Sequence, residues 1–203
     1  MVSNVGIDRV VTSGTFSLDG ETFDVDNNVW VVGDDRQVVI VDAAHDSRPI
    51  IDAVGEREVV ALVLTHAHDD HISAAADVRA ATGAPTWLHP DDRMLWEAVY
   101  STPPQHDLLD GTALHVGGIE LTALHTPGHS PGSCCLHAPS LGVLFSGDTL
   151  FDGGPGATGR SYSDRPTIEA SIRGRLFALP PDTVVHTGHG TDTTIAAEAA
   201  RTW

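Results

Sequence analysis

Short runs of β-branched and other apolar residues, separated by polar turns, divide the first part of the chain into predicted strands. These predicted strands are residues 10–16, 21–25, 28–32 and 37–42. Residues 33–36, Gly-Asp-Asp-Arg, are typical of the turn of a hairpin that joins the last two. The pattern therefore predicts that the chain begins with a meander of strands.

From residue 48 onward, predicted helices alternate with strands. Residues 59–64 form a continuous apolar run, which is typical of a buried strand. Further strands are predicted at residues 86–88, 114–116, 119–125, 133–137, 142–146 and 184–186. Helices are predicted at residues 48–54, 72–82, 90–99, 166–178 and 193–202, and loops at 101–110 and 147–163. This order predicts an α/β fold of two αβ halves packed face to face, as a single domain over residues 1–203.

Polar groups cluster directly after the buried strand, in Thr65-His66-Ala67-His68-Asp69-Asp70-His71. The carboxyl end of a strand is where α/β folds place their chemistry. Alternate residues of an extended turn point the same way, so the imidazoles of His66 and His68 can hold one metal ion. Asp70 and His71 follow where the chain turns into the helix, and this pair can face a second ion.

Three later residues, His129, Asp148 and His189, lie in glycine-containing turns that follow predicted strands. Imidazole nitrogens and carboxylate oxygens are what a borderline divalent metal takes from a protein. A carboxylate has two oxygens, so Asp148 can bridge two cations. The predicted metal ligands are therefore His66, His68, Asp70, His71, His129, Asp148 and His189. Seven ligands are too many for one tetrahedral ion but, with one shared carboxylate, are the right number for two.

Other residues near these motifs have weaker claims to a role at the site. Asp42 ends a predicted strand and is a candidate to orient the His66 loop by accepting hydrogen bonds, with an ordinary turn residue as the alternative. His125 and His186 are expected to be structural. No ligand role is expected for the remaining histidines, His45, His89, His106, His115 and His137, because no comparable residues surround them in the sequence.

Composition and charge indicate the cellular compartment of the protein and the classes of partner that it can bind. The formal charge is −17, and all 11 basic residues are isolated arginines, so nucleic acid is not an expected partner. No apolar run is long enough to span a bilayer, and the N-terminus lacks the pattern of a signal peptide, which predicts a cytoplasmic protein with no membrane partner. The adjacent Cys134 and Cys135 are expected to be reduced and buried on a strand. The oligomeric state is left open.

Taken together, the motifs resemble those of the metallo-β-lactamase superfamily. His-x-His-x-Asp-His matches residues 66–71, and the later His, Gly-Asp-Thr-Leu-Phe and Gly-His-Gly motifs match His129, Asp148 and His189. The match extends in order from about Trp30 to Gly190. The resemblance implies a four-layer αβ/βα sandwich. Residues 125–130 and 147–151 are similar to the glyoxalase II type of thioester hydrolase, and Asp148 is unlike the Cys or Ser of true β-lactamases.

The resemblance implies a metal-dependent hydrolase that uses a bridging hydroxide on a binuclear centre against a small-molecule substrate, most plausibly a thioester. His66, His68, His129 and Asp148 would hold the first ion, and Asp70, His71, His189 and Asp148 the second. Two zinc ions are expected, with iron or manganese as alternatives, and Asp70 is the expected catalytic residue.

The substrate itself is less well defined by the sequence. Arg160 and Tyr162 are candidates to bind an anionic part of the substrate. The chain ends soon after His189, so the C-terminal helical domain that holds glutathione in glyoxalase II is expected to be absent. The acyl group and the thiol of the substrate therefore stay open.

Three alternatives remain. His66, His129 and Asp148 alone form the two-histidine, one-carboxylate face that holds Fe(II), as in the persulfide dioxygenases of this superfamily. A hydrolase of lactones or β-lactams is the second alternative. A metal-binding domain without catalytic activity is the third alternative.

Overall fold

Two six-stranded sheets and their covering helices form the computed structural model, which describes residues 5–203. The first sheet contains, in spatial order, β1 (Gly6–Leu18), β2 (Glu21–Gly33), β3 (Gln37–Val41), β4 (Glu58–Val63), β5 (Thr86–Leu88) and β6 (His106–Asp107). The later strands are β7 (Ala113–Val116), β8 (Ile119–His125), β9 (Cys134–Ala138), β10 (Val143–Gly147), β11 (Leu150–Phe151), β12 (Gly154–Pro155), β13 (Val184–Thr187) and β14 (Thr193–Thr194). The second sheet has the order β14-β13-β10-β9-β8-β7, and β11 and β12 form a separate hairpin.

Helices cover the outer face of each sheet. They are α1 (Ser47–Val54), α2 (Asp69–Ile72), α3 (Ala75–Thr82), α4 (Arg93–Val99), α5 (Arg165–Ser171) and α6 (Ile195–Ala199). Short 3₁₀ turns occur at Pro90–Asp92 and Pro139–Leu141, and a π-helical turn at Ile172–Leu176 continues α5. None of the helices in residues 5–203 is both long and apolar enough to cross a membrane.

The alternation of side chains along β3 shows how the layers form. Val38 and Ile40 pack against α1, α3 and α4, whereas Val39 and Val41 face the second sheet. Successive side chains of a strand point to opposite faces, so one all-apolar strand serves two cores. A third core lies between the second sheet and α5 and α6. The αβ/βα sandwich expected from the sequence is confirmed.

The carboxyl ends of five strands meet at one edge of this sandwich. β3 pairs parallel with β4, and β10 pairs parallel with β13. β8 and β10 are both antiparallel to β9, so they run in the same direction. The turns that follow these strands contain all the predicted ligands.

Several element boundaries differ from the prediction. β2 is a single strand over the two predicted segments, because its pairing with β1 continues through residues 26–28. The helix predicted at residues 72–82 is two helices, and the first begins at Asp69, inside the histidine motif. The loop predicted at residues 101–110 contains β6, and the loop predicted at 147–163 contains the β11–β12 hairpin. The helix predicted at 166–178 changes to π geometry at Ile172. The terminal helix, predicted at 193–202, is only Ile195–Ala199. Cys134 and Cys135 are free and buried, as expected.

Replacing Phe145 by Ala should lower the free energy of unfolding by about 3–5 kcal/mol, because this fully buried ring fills the space between the two sheets beside Trp30. Urea denaturation measures the change. Leu109→Ala is the matched control, since Leu109 is 52% exposed and its loss should cost less than about 0.5 kcal/mol. Equal costs for the two variants would contradict this assignment of the core.

Candidate metal centre

Four of the predicted ligands lie in the turn after β4 and in α2. His68 has an extended backbone (φ −64°, ψ 145°) and precedes the first helical residue, Asp69. The chain is therefore extended up to His68 and helical after it, and the ring of His71 lies 4.2 Å from the ring of His66. Nε2 of His66 lies 3.0 Å from Nδ1 of His68. His66, His68, Asp70 and His71 are all buried.

Hydrogen bonds fix which nitrogen of three other imidazoles faces the centre. Nδ1 of His129 donates to the carbonyl oxygen of Ala157 at 2.9 Å. Nδ1 of His189 donates to the carbonyl oxygen of Asp26 at 2.7 Å. Nδ1 of His71 lies 2.9 Å from the carboxylate of Asp42. A proton on Nδ1 leaves the lone pair on Nε2, the arrangement typical of metal-binding histidines.

Asp148 lies between the two halves of the site. Its Oδ1 is 3.3 Å from Nε2 of His71. Its Oδ2 is 3.5 Å from Nε2 of His129 and 3.3 Å from Nε2 of His189. Gly188 permits this approach, because a Cβ there would lie 2.3 Å from Oδ1 of Asp148. One carboxylate thus contacts histidines from both halves.

The structure brings all seven predicted ligands together. Ligand atoms within 4.8 Å of one another define three overlapping groups, namely His66, His68 and His129; His66, His71 and Asp148; and Asp70, His71 and His189. The first and third groups match the two halves that were expected from the sequence. The assignment of each residue to a particular ion stays a prediction.

The donor atoms themselves indicate that a cation fits. Nε2 of His129, Nε2 of His68 and Oδ1 of Asp148 are buried without a hydrogen-bond partner. Nε2 of His71 and Nε2 of His189 face each other at 3.1 Å. Buried polar atoms are normally paired, so this group of atoms needs positive charge among them, from protons or from a metal ion. A divalent cation would satisfy them.

Burial and neighbouring charges shift the pKa values in opposite directions in the two halves. Burial, with the imidazoles around them, holds the pKa of His66 well below its usual value and lowers the pKa of His68 to about 3. Both rings are therefore neutral at neutral pH, as metal ligands must be.

In the other half, burial lowers the pKa of His189, but Asp148 and Asp70 outweigh burial and raise this pKa to about 10. Burial raises the pKa of Asp70, but His71 and His189 outweigh it and lower this pKa to about 2. This half therefore pairs carboxylates with imidazolium groups, and a metal ion entering it must displace protons from the histidines.

Asp42 orients the histidine loop, as the sequence suggested. Its Oδ1 accepts from the backbone N–H of Thr65 at 2.7 Å, and its Oδ2 accepts from Thr65 Oγ1 at 2.9 Å. The same Oδ2 accepts from Nδ1 of His71. One buried carboxylate therefore holds both the start of the motif and its last histidine.

Sequence reasoning missed three buried polar residues that support the centre. Nδ2 of Asn27 donates to Oδ2 of Asp70 at 2.9 Å. Nδ2 of Asn28 donates to the carbonyl oxygen of Thr187 at 2.9 Å and so holds the turn before His189. Adjacent asparagines in an apolar strand are unusual, and this was the signal available in the sequence.

Asp92 is the third missed residue, and it ties two ligand loops together. It accepts from Ala67 N at 2.9 Å, from Ser130 Oγ at 2.7 Å and from Gly132 N at 2.6 Å. Ala67 lies between His66 and His68, and Ser130 follows His129. In the sequence Asp92 reads only as an acidic residue at the start of a helix.

The histidines outside the centre behave as expected, with one exception. His186 packs on the ring of Trp30 at 4.4 Å. The exception is the pair of His125 and His89, which stack at 3.9 Å and lie with Asp91 in a further group of potential metal ligands. His45 is in none of the ligand groups, as expected, but it contacts Asn27 and so belongs to the surroundings of the site.

A family model described as "Metallo-beta-lactamase superfamily" matches residues 22–189, most of the chain. The chain belongs to the metallo-beta-lactamase superfamily. This agrees with the sandwich and with the position of the site at its edge.

Individual members of the superfamily are similar over most of their length. Hydroxyacylglutathione hydrolase GloC of Haemophilus influenzae is 30% identical, with 84% of this chain and 87% of that protein covered. The crystal structure of the BLEG-1 B3 metallo-beta-lactamase has a TM-score of 0.81 at 31% identity, covering 94% of this chain and 97% of that one. The structure of TTHA1623 in a di-iron-bound form has a TM-score of 0.78 at 31% identity, covering 93% and 97%. Family and relatives support a metal-binding hydrolase and leave its substrate and its metal open.

Replacing Asp42 by Asn should weaken metal binding about 10–100-fold, because the new amide N–H₂ would face donors of Thr65 or His71. Competition with a chromophoric chelator measures the affinity for zinc. Asp52→Asn, an exposed position on α1, is the control for the loss of one negative charge and should leave the affinity unchanged. Unchanged zinc affinity in Asp42→Asn would refute the orienting role of this carboxylate.

Proposed function

We propose that the protein is a hydrolase that holds two divalent ions and cleaves a thioester. The observation that supports two ions is the position of Asp148, whose two oxygens face His71 on one side and His129 and His189 on the other. In the proposal His66, His68 and His129 bind the first ion, and Asp70, His71 and His189 bind the second. Asp148 contributes to both.

The bound ions supply Lewis-acid chemistry, in which the pKa of a coordinated water falls to about 7 and a carbonyl oxygen is polarised. The protein's own residues position and shield the reactants. His66 and His71 are fully buried, so bulk water is excluded from the inner side of the centre. The carboxylate of Asp70, fixed by Asn27, accepts a hydrogen bond from the attacking water and orients it. A thiolate is a good leaving group, so the reaction needs no general acid.

A small cavity of about 40 Å³ gives access to the first half of the site. Its lining includes His68, His129, Phe16 and Arg160. Arg160 also pairs with Glu21 at 2.6 Å, which fixes its guanidinium at the rim. Of the two residues considered for binding an anionic group, Arg160 therefore lies where a substrate would enter, whereas Tyr162 is 54% exposed and does not line this cavity.

The similarity to hydroxyacylglutathione hydrolase GloC supports a thioester substrate, and the similarity to a B3 metallo-beta-lactamase keeps the β-lactam ring as the competing substrate. We propose zinc as the metal, with iron as the alternative that the di-iron form of TTHA1623 supports.

Purified protein should contain two zinc ions per chain and hydrolyse S-acyl thioesters at least about tenfold faster than lactones or nitrocefin. Elemental analysis of protein purified without added metal is run beside this substrate panel. Removing the ions with a chelator should abolish hydrolysis, and added zinc should restore it. One iron per chain with oxygen uptake on a persulfide would replace this proposal by the dioxygenase alternative.

Replacing Asp148 by Ala should remove at least one ion per chain and lower hydrolysis more than about 100-fold, because both halves of the site lose a ligand. Metal content and activity are measured on the same preparation. Asp152→Ala is the control, since this exposed aspartate pairs with Arg201 and is not one of the seven predicted ligands. Retained metal and activity in Asp148→Ala would reject the shared-ligand role.

A further inference from the structure

We propose that His45 and Asn27 form a positioning chain that orients the carboxylate of Asp70 and thereby sets the affinity of one half of the metal centre. The inference rests on the proposed function in one respect, namely that Asp70 serves as a metal ligand. Neither residue touches the substrate or an ion in this proposal, so both act through Asp70. The chain consists of two consecutive hydrogen bonds, from His45 to Asn27 and from Asn27 to Asp70.

The first hydrogen bond determines how the Asn27 amide is turned. Its Nδ2 is 2.9 Å from Oδ2 of Asp70. The same Oδ2 lies 3.4 Å from Nε2 of His71 and 3.3 Å from Nε2 of His189, so it is the oxygen that faces this half of the site. An ionised carboxylate only accepts hydrogen bonds. The N–H₂ of Asn27 must therefore face Asp70, and its oxygen must face away.

The second hydrogen bond holds the amide in that orientation. Oδ1 of Asn27 lies 2.7 Å from Nε2 of His45. Because the amide oxygen is an acceptor, His45 must carry its proton on Nε2. If the Asn27 amide were reversed, its N–H₂ would face this N–H and its oxygen would face the carboxylate of Asp70. Both contacts would then be repulsive while His45 keeps its proton on Nε2, so this proton favours the orientation that points the N–H₂ of Asn27 at Asp70.

The protein holds His45 in place by means that are independent of Asn27. Its backbone has a φ of +55°, a left-handed conformation that side chains other than glycine adopt rarely. Its N–H donates to Ser73 Oγ at 2.8 Å. Its ring lies against Gly14 of β1, where a Cβ would be 2.2 Å from Nδ1. A ring fixed by an uncommon backbone conformation and a close glycine contact is consistent with a positioning role.

A pair of substitutions separates hydrogen bonding from the filling of space. In His45→Gln, the amide nitrogen reaches the place of Nε2 and can donate to Asn27. In His45→Asn, the amide reaches only the place of Nδ1, while Asn tolerates the left-handed backbone. We expect His45→Asn to bind one of its two ions about tenfold more weakly, and His45→Gln to stay within about threefold of the unmodified protein.

The measurement is stepwise binding of Co²⁺ or Zn²⁺ by chelator competition, with the visible spectrum of Co²⁺ as a second readout. Asp70→Asn serves as the reference that identifies which ion depends on Asp70. The affinity of that ion should fall in His45→Asn, and the affinity of the other ion should not. Equal affinities in the Asn and Gln variants, or an equal loss of both ions in His45→Asn, would overturn the proposal.

Gly14→Ala tests the same chain without altering either residue, because the new methyl group displaces the His45 ring. It should weaken the same ion about tenfold, and it should have no further effect in a His45→Asn background. Gly6→Ala is the matched control on the same strand, since no atom lies within 4 Å of the added Cβ. Additive effects of Gly14→Ala and His45→Asn would also overturn the proposal.

These measurements use metal ions without substrate. A protein that fails to hydrolyse thioesters but shows the Asn and Gln difference would reject the proposed substrate and keep the positioning chain. If the protein hydrolyses thioesters but the two His45 variants have equal metal affinities, the proposed substrate is kept and the positioning chain is rejected.

Discussion

The contact of the Asp148 carboxylate with three histidines is the interaction on which the site depends. His129, His71 and His189 come from different turns and, with Asp148, from both sheets, so nothing in their local sequence holds them together. A carboxylate in a buried position is unfavourable unless positive charge surrounds it. Imidazolium groups supply that charge in one half of the site, and a bound divalent cation would supply it as well. The fold therefore brings the histidines to Asp148, and their positive charge in turn stabilises the buried carboxylate at this edge of the sandwich.

Much of the precision of the centre comes from residues that bind no ion. Asp42, Asp92, Asn27 and Asn28 are nearly or fully buried, and each uses its side chain to hold a loop that carries ligands. A buried polar group must be paired, so each of these residues stabilises one loop arrangement over others. The ligand loops contain glycines and prolines and would otherwise have many conformations. Hydrogen bonds to buried acids and amides replace the rigidity that regular secondary structure would give.

The cluster of histidines and aspartates and the rim of the cavity that leads to it affect function in different ways. A cluster of histidines and aspartates around divalent ions can activate water against several kinds of carbonyl compound, and the superfamily includes proteins named for different substrates. The rim decides which compound can approach. Here the β1–β2 hairpin contributes Phe16, and Glu21 holds Arg160 beside it. Under the proposed function, the hairpin and the loop that contacts it would set the selectivity for one substrate.

The sequence by itself indicated the main strands and helices and the seven candidate ligands, and its motifs resembled a family with a layered fold, because strand periodicity and motif spacing can be read along the chain. It also indicated Asp42, because a strand-end carboxylate is a local feature. The roles of Asn27, Asp92 and His45 needed the tertiary structure. Their partners lie 43, 25 and 18 residues away in the chain, and no local pattern records which buried donor meets which acceptor. Chain order predicts where side chains point within an element, whereas the packing of β1, β2 and the α4 region against the ligand loops decides which of them meet.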